Sequence, residues 1–258
     1  GACRVDDLQR VGLGVDVVQG YARIVDPWRV EIARDDGVTQ VLTTRSIVIA
    51  AGGEPVVPPL PGIEQSGYLT SDTLWDVFSE LDRVPERIVV LGGGAIGCEL
   101  AQALARLGGQ VTQVEMAGRV LANEDEDVSA HAEEALRSSG IEVLTSHKAL
   151  RVEGAAGARQ IIVEGPDGER ALGFDALIVA VGRKARLAGY GLEELGIATD
   201  RTVVTDAYLA TEFPNIFAAG DVAGPFQFTH TASHQAWYAA VNALFGTFRK
   251  FRGHSVIT

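Results

Sequence analysis

The amino-acid sequence predicts an α/β fold made of two similar units, and three observations carry that expectation. Residues 87–115 read strand, glycine turn, helix, strand, the alternation that builds a parallel sheet covered by helices. Two apolar stretches ending in A-x-G, residues 46–52 and 175–182, each follow an Asp-Gly turn and a β-rich run at nearly the same spacing. The chain has 258 residues and is 47% hydrophobic, enough for one large or two ordinary cores.

Taken in order, the chain opens with β-rich runs, VDVVQ from Val15, YARIV, WRVEIA and TQVLTT, broken by Gly20, Asp26-Pro27 and Asp35-Asp36-Gly37. That pattern is a β-meander. It runs into SIVIAAG, residues 46–52, a buried strand that stops at glycine. Pro55, Pro58, Pro59 and Pro61 then resist both helix and central strand and mark a semi-rigid connector. Ser71 or Asp72 is placed to cap a short helix through Leu74, Trp75 and Phe78.

The next stretch organises the rest. RIVVL, residues 87–91, reads as a strand buried on both faces, and Gly92, Gly94 and Gly97 follow as G-x-G-x-x-G. Ile96, Leu100, Ala103, Leu104 and Leu107 then recur at helical spacing. In this context the first glycine makes the turn, the second lets the backbone approach a pyrophosphate, and the third lets helix and strand pack closely. The phosphates sit on the helix N-terminus, where unpaired N–H groups and the helix dipole favour an anion. Glycine turns alone are common, so the second half of the pattern matters. QVTQVE, residues 110–115, reads as the next strand, and Glu115 ends it about twenty residues past the glycines, where a carboxylate binds a ribose 2'-hydroxyl and repels a 2'-phosphate. Met116, Ala117 and Gly118 follow, with Arg119 the nearest arginine. The expectation is a Rossmann-like site that prefers NAD(H) over NADP(H).

Beyond it, Glu124–Asp127 precede a helix over residues 128–138, where four acids favour the positive dipole end rather than forming a metal site. IEVLT is the next strand. A second meander, KALRVEG, RQIIVEG and ERALGF, ends in DALIVAVG, residues 175–182. An LEEL turn, a strand over residues 202–205, and the buried strand of TEFPNIFAAGDVAG come next, the last releasing Asp221 at its end. Taken alone, Asp221 reads as a turn or cap residue, but the carboxyl edge of an open α/β sheet is also where ligands bind. Thr229-His230-Thr231 opens a long helix to Phe245, stopped by Gly246.

Composition narrows the function. A net charge of −12 excludes a basic nucleic-acid face, so no nucleic-acid partner is expected. No apolar run spans a bilayer and the N-terminus has no signal-peptide core, so the expectation is a cytoplasmic protein with no membrane partner. Cys3 and Cys98 stand too far apart in sequence for a disulfide framework or a metal spacing; Cys98 reads as a small buried residue.

Together these residues resemble the two-dinucleotide flavoproteins of the pyridine nucleotide-disulfide oxidoreductase family, which includes lipoamide dehydrogenase, glutathione reductase and mercuric reductase. SIVIAAG and DALIVAVGR resemble the two A-T-G-like crossover signals, and TEFPNIFAAGD resembles the second FAD motif. The likeness covers almost the whole chain. It implies a three-layer NAD-binding domain with a β-meander, residues 81–184, inserted in an incomplete FAD-binding domain of the same type. Residues 1–80 are its first part and linker, 185–250 its second, and 251–258 the start of a dimerisation domain.

Residue by residue, the resemblance places the main chain of Ala22, in Gly20-Tyr21-Ala22, at the FAD adenine, Asp221 on the ribityl chain and Thr229 at the flavin ring, with Gly52 on the same side of the FAD site. Glu99 matches the acid that pairs with a lysine beside flavin and nicotinamide, and Gly182 borders bound NAD. His230 and His234 could also approach the flavin, while the other histidines read as surface or core. Ala51 stands for the usual Thr, Ala95 for a gating tyrosine found in some members, and His230 for a common proline. The first FAD glycine motif, the C-x-x-x-x-C pair with its lysine, and the His-Glu pair have no counterpart in these residues.

The resemblance therefore implies an internal portion of a protein that passes hydride from NADH to FAD and on to a disulfide or small-molecule acceptor, homodimeric in its full form. This chain itself is expected to be inactive, without catalytic residues, without a metal, and not to retain FAD. Two alternatives stay open: a non-catalytic NAD-binding module, and an NADH:acceptor flavoreductase without a redox disulfide.

Overall fold

The computed structural model describes residues 14–155 and 157–246. Cys3, His254 and the segment 251–258 lie outside the described residues. Strands β1 (Tyr21–Asp26), β2 (Arg29–Ala33), β3 (Thr39–Thr43), β4 (Ile47–Ile49) and β5 (Gly53–Pro55) come first. They are followed by β6 (Leu69–Thr70), α1 (Leu74–Ser79), β7 (Arg87–Leu91), α2 (Ala95–Arg106), β8 (Gln110–Val114), α3 (Glu126–Ser138) and β9 (Glu142–Leu144). A meander of β10 (Lys148–Glu153), β11 (Gln160–Gly165) and β12 (Gly168–Gly173) leads to β13 (Ala176–Val179) and β14 (Arg183–Ala185). The chain finishes with α4 (Leu192–Leu195), β15 (Ile216–Ala218), a 3₁₀ turn Gly220–Val222 and α5 (Thr229–Phe245).

Two compact units result, one spanning Pro55–Arg183 and the other joining the chain up to Glu54 with the chain from Lys184 onward. The Pro55–Arg183 unit is built on a parallel sheet in the order β6-β13-β7-β8-β9. In β7 alternate side chains leave on opposite faces. Ile88 and Val90 join Leu100, Leu104, Val111, Leu136 and Val143 under α2 and α3. Val89 and Leu91 join Val114, Val152, Ile161, Leu172 and Phe174 under the meander. A strand that feeds two cores must be apolar throughout, which is why RIVVL shows no alternation. The outcome is three layers: helices, sheet, meander.

The second unit repeats the plan on a smaller scale. β15 pairs in parallel with β4, Ile216 opposite Ile47. Ile216 and Ala218 pack with Ile24, Ile47, Ile49 and Leu192, while Phe217 turns to the other face with Leu209, Ala219 and Ala239 of α5. The two A-x-G strands thus hold equivalent places, but β13 is flanked by β6 and β7, whereas β4 has β15 as its partner among the described residues.

Several local expectations change. The compact unit begins at Pro55, so it takes in the proline connector and the short helix ahead of residue 81. Val56 N–H donates to Gly182 O at 2.9 Å, Val152 N–H to Pro61 O at 2.8 Å, and Leu69 pairs with Ile178, so the proline connector is stitched to the inserted unit. Residues 15–19 form no strand, with Val15 49% and Val17 37% exposed. The expected strand at 202–205 is reduced to an isolated bridge, Val203 to Thr199. The short helix is entered at Thr73 and not at Ser71 or Asp72, with no side-chain cap bond: Thr73 Oγ1 accepts Thr70 N–H at 3.0 Å, and Ser71 and Asp72 are held by Arg183. The acidic helix starts at Glu126, placing Glu126 and Asp127 inside its first turn, where the dipole favours them.

Candidate dinucleotide site

Because β7, β8 and β13 run parallel, the segments that follow them meet at one edge of the sheet. Gly92 N–H still donates to Val114 O at 2.8 Å, then the chain turns at φ +110°. A Cβ on Gly92 would strike the Ala180 carbonyl oxygen, with the carbonyl carbon 2.7 Å away, so the turn needs glycine on both conformational and steric grounds. A Cβ on Gly97 would strike the Gly92 carbonyl, so the third glycine sets how closely α2 lies on the turn.

Gly94 differs from both. It is exposed, and a Cβ there would meet nothing within 4 Å. It is also the N-cap of α2, with no side-chain cap bond and no acid in the first turn. The first helical N–H groups therefore point into open space at the positive end of a twelve-residue helix, the arrangement that receives a pyrophosphate.

Glu115 follows β8 directly, and its backbone is tied on both sides, N–H to Leu144 O at 2.8 Å and O from His147 N–H at 2.9 Å. Its half-buried carboxylate accepts Gly93 N–H at 2.5 Å and Ala117 N–H at 2.6 Å. Two charge-assisted bonds pin it beside the glycine turn and leave acceptor sites for a ligand hydroxyl. Arg119, the nearest cation in sequence, is committed to its own loop: Nη2 donates to Ala122 O at 3.1 Å and Glu124 O at 3.0 Å. Gly92, Gly94, Gly97 and Glu115 are thus brought together.

Gly182, at φ +136°, closes the same edge beyond β13. The next residue was not singled out by the sequence: Arg183 Nη1 donates to Ser71 Oγ and Asp72 Oδ1, both at 2.8 Å. Partial burial pushes the Asp72 carboxyl up, but the Arg183 hydrogen bond and charge, with Ser71, hold it net below its ordinary value of 3.8. A lowered folded value means stability that is present above the unfolded value and lost as pH falls through the folded one. Arg183→Ala should therefore lower the urea midpoint at pH 7 by the equivalent of about 1 kcal/mol, for a pair that is still partly exposed. The difference should vanish well below pH 4; a deficit that persisted there would contradict the ion pair as its cause.

Glu99 is exposed on α2. Cys98 is a free thiol whose ionisation burial pushes upward, which disfavours a reactive thiolate. Gln113 is the other residue the sequence left unmarked: fully buried in β8, it donates Nε2 to Gly92 O at 3.0 Å. The available signal was a polar residue between Val111 and Val114, both buried.

The residues expected at FAD lie in the second unit. Asp221 opens away from β15 within the 3₁₀ turn, its carboxylate 3.3 Å from where a Cβ on Gly53 would be, next to Gly52. Gln235 of α5 holds that turn, accepting Gly220 N–H at 2.8 Å and donating to Gly224 O at 2.7 Å. Thr229 opens α5 and is exposed, and Ala22 is exposed on β1 opposite Ile32. The structure therefore sets Asp221 against Gly53, the chain neighbour of Gly52, and Gln235 is a third residue that sequence reasoning missed.

A family model described as pyridine nucleotide-disulphide oxidoreductase matches residues 5–236. The chain belongs to that family. Its similarity to a mercuric reductase of Streptomyces lividans is 36% identity over 238 residues, 92% of this chain and 49% of that one. A dihydrolipoyl dehydrogenase of Bacillus subtilis is 34% identical over 230 residues, covering 89% and 49%. Among solved structures, the HOCl-induced flavoprotein disulfide reductase RclA from Escherichia coli superposes with a TM-score of 0.78 at 30% identity, covering 92% of this chain and 52% of that one. The chain spans about half the length of the curated relatives it matches. The family's enzymes are FAD-dependent oxidoreductases that use a pyridine nucleotide. Among the described residues no helix is long and apolar enough to cross a membrane.

Proposed function

We propose that the chain is the NADH-binding portion of an FAD-dependent oxidoreductase that passes hydride from NADH to FAD and two electrons on to a disulfide or related acceptor. The observation that carries the reading is the Glu115 carboxylate, pinned at 2.5 Å to the N–H of Gly93 beside the open N-terminus of α2. The dinucleotide, when bound, supplies the hydride. The chain's own residues bind and orient it. The N–H groups opening α2 take the pyrophosphate, Gly94 leaves room for it, Glu115 accepts the ribose hydroxyls and disfavours a 2'-phosphate, and the Arg183–Asp72 pair holds the chain at Gly182. Glu99, exposed on α2, keeps the part the resemblance gives it, an acid that pairs with a lysine, and no residue of the chain is assigned a catalytic role.

Asp221, Gly52, Ala22 and Thr229 offer one side of an FAD site. In the inserted unit the pyrophosphate is gripped by the turn after β7; beside β4, no described strand holds the matching place. Each charge-assisted hydrogen bond so forgone is worth about 1.5–3 kcal/mol, enough in combination for FAD to wash out. The purified chain is expected to be colourless and to oxidise NADH with disulfides no faster than free FAD does. A stoichiometric flavin absorption band would overturn this part of the reading. The whole protein is proposed to be a cytoplasmic homodimer, and the net charge of −12 supports a small-molecule or disulfide acceptor over a nucleic acid. NADH fluorescence should change saturably on titration with the chain, and a flat titration would contradict the proposal.

A further inference from the structure

Beneath the glycine turn lies a polar side chain that an apolar one would be expected to replace. Gln113 is 0% exposed in β8, among Val111 and Val114 that feed the two cores. Its Nε2 donates to Gly92 O at 3.0 Å, touches Cys98 Sγ at 3.5 Å, and lies 3.4 Å from where a Cβ on Gly97 would stand. One amide end therefore meets the first and third glycines of the motif and the first turn of α2. The other end, Oε1, is buried with no hydrogen-bond partner among the described residues. Exchanging the two ends would set Oε1 against the Gly92 carbonyl, acceptor against acceptor, so the Gly92 bond fixes the orientation.

A buried amide with one end unsatisfied contributes little to stability, because the desolvated carbonyl offsets the single bond made. What the bond does hold is the carbonyl of Gly92, the residue whose positive φ aims the N–H groups of the turn and of α2. We propose that Gln113 is a positioning residue for the dinucleotide, fixing the Gly92 carbonyl from below so that the turn stays shaped for the pyrophosphate. The inference rests on the NADH reading above.

Gln113→Met keeps the volume and removes both the bond and the orphaned oxygen. In the chain carrying it, the melting temperature should stay within about 2 °C of the unmutated value, since the bond lost and the desolvation relieved are of similar size. Affinity for NADH and for ADP-ribose, measured by calorimetry, should fall by roughly five- to tenfold, the worth of one hydrogen bond lost through the turn. Gln113→Leu provides a second folded variant with the same expectation. Affinity within about twofold of the unmutated chain in either variant overturns the positioning role while leaving the NADH reading intact. Loss of affinity only together with a collapse of the melting temperature in both variants overturns it too, by assigning Gln113 to the core. Failure of the unmutated chain to bind NADH or ADP-ribose overturns both readings together.

Discussion

Gly92→Ala is expected to unfold the Pro55–Arg183 unit or bring it close to unfolding. The φ of +110° at Gly92 costs an L-residue about 1–3 kcal/mol. The new methyl would also run into the Ala180 carbonyl, and that backbone cannot retreat: Ala180 N–H donates to Leu91 O at 2.7 Å and β13 is paired on both sides. Overpacking of this kind costs about 1–3 kcal/mol more, and the combined loss is a large part of the roughly 5–15 kcal/mol by which a domain is stable. Hydrogen exchange should show the amides of β7 and β13 losing protection. Gly94→Ala is the contrast, because φ there is −73° and a Cβ meets nothing within 4 Å. That variant should be at least as stable as the unmutated chain, since alanine narrows the unfolded ensemble, yet its methyl occupies the space left for the pyrophosphate and NADH binding should be lost. Equal stability of the two alanine variants would show that the turn is not built as described.

Glu115→Ala should weaken NADH binding by one to two orders of magnitude, about 1.5–3 kcal/mol for hydrogen bonds to a charged acceptor. The loss has two sources. The ribose hydroxyls lose their acceptor, and the N–H groups of Gly93 and Ala117, now bonded to the carboxylate at 2.5 and 2.6 Å, lose the group that holds the loop. Glu115→Gln separates these in part, because the amide keeps one acceptor oxygen; it should bind NADH better than Glu115→Ala does and discriminate less against a 2'-phosphate. A fluorescence titration in which Glu115→Ala matched the unmutated chain would remove Glu115 from the site.

What the sequence made legible is what neighbouring residues decide among themselves. Arg87 to Leu107 holds a strand, a turn and a helix in continuous chain, and each glycine's task follows from where it falls in that path. The apolar β7 likewise announced a strand covered on both faces, and Glu115 was found by its distance from the glycines. The losses come from pairings that local pattern does not encode. Valines at 15 and 17 have the composition of a strand but find no partner and remain exposed. The prolines from 55 to 61 exclude helix and central strand without saying which unit they are bonded to, and that appears only in the hydrogen bonds of Val56 and Pro61. Arg183 and Asp72 meet across 111 positions of sequence. Gln113 was overlooked because a single polar residue in an apolar strand looks like tolerated noise until its amide is seen on the Gly92 carbonyl.

The claim on which the account turns is that Glu115 sets an NADH site at the α2 N-terminus. Calorimetric titration of the unmutated chain with NADH and NADPH, at one ionic strength, tests it most directly. NADH should bind at one site per chain and at least tenfold more tightly than NADPH, the cost of setting a 2'-phosphate beside a pinned carboxylate. NADPH binding as tightly as NADH, or more so, would contradict the account.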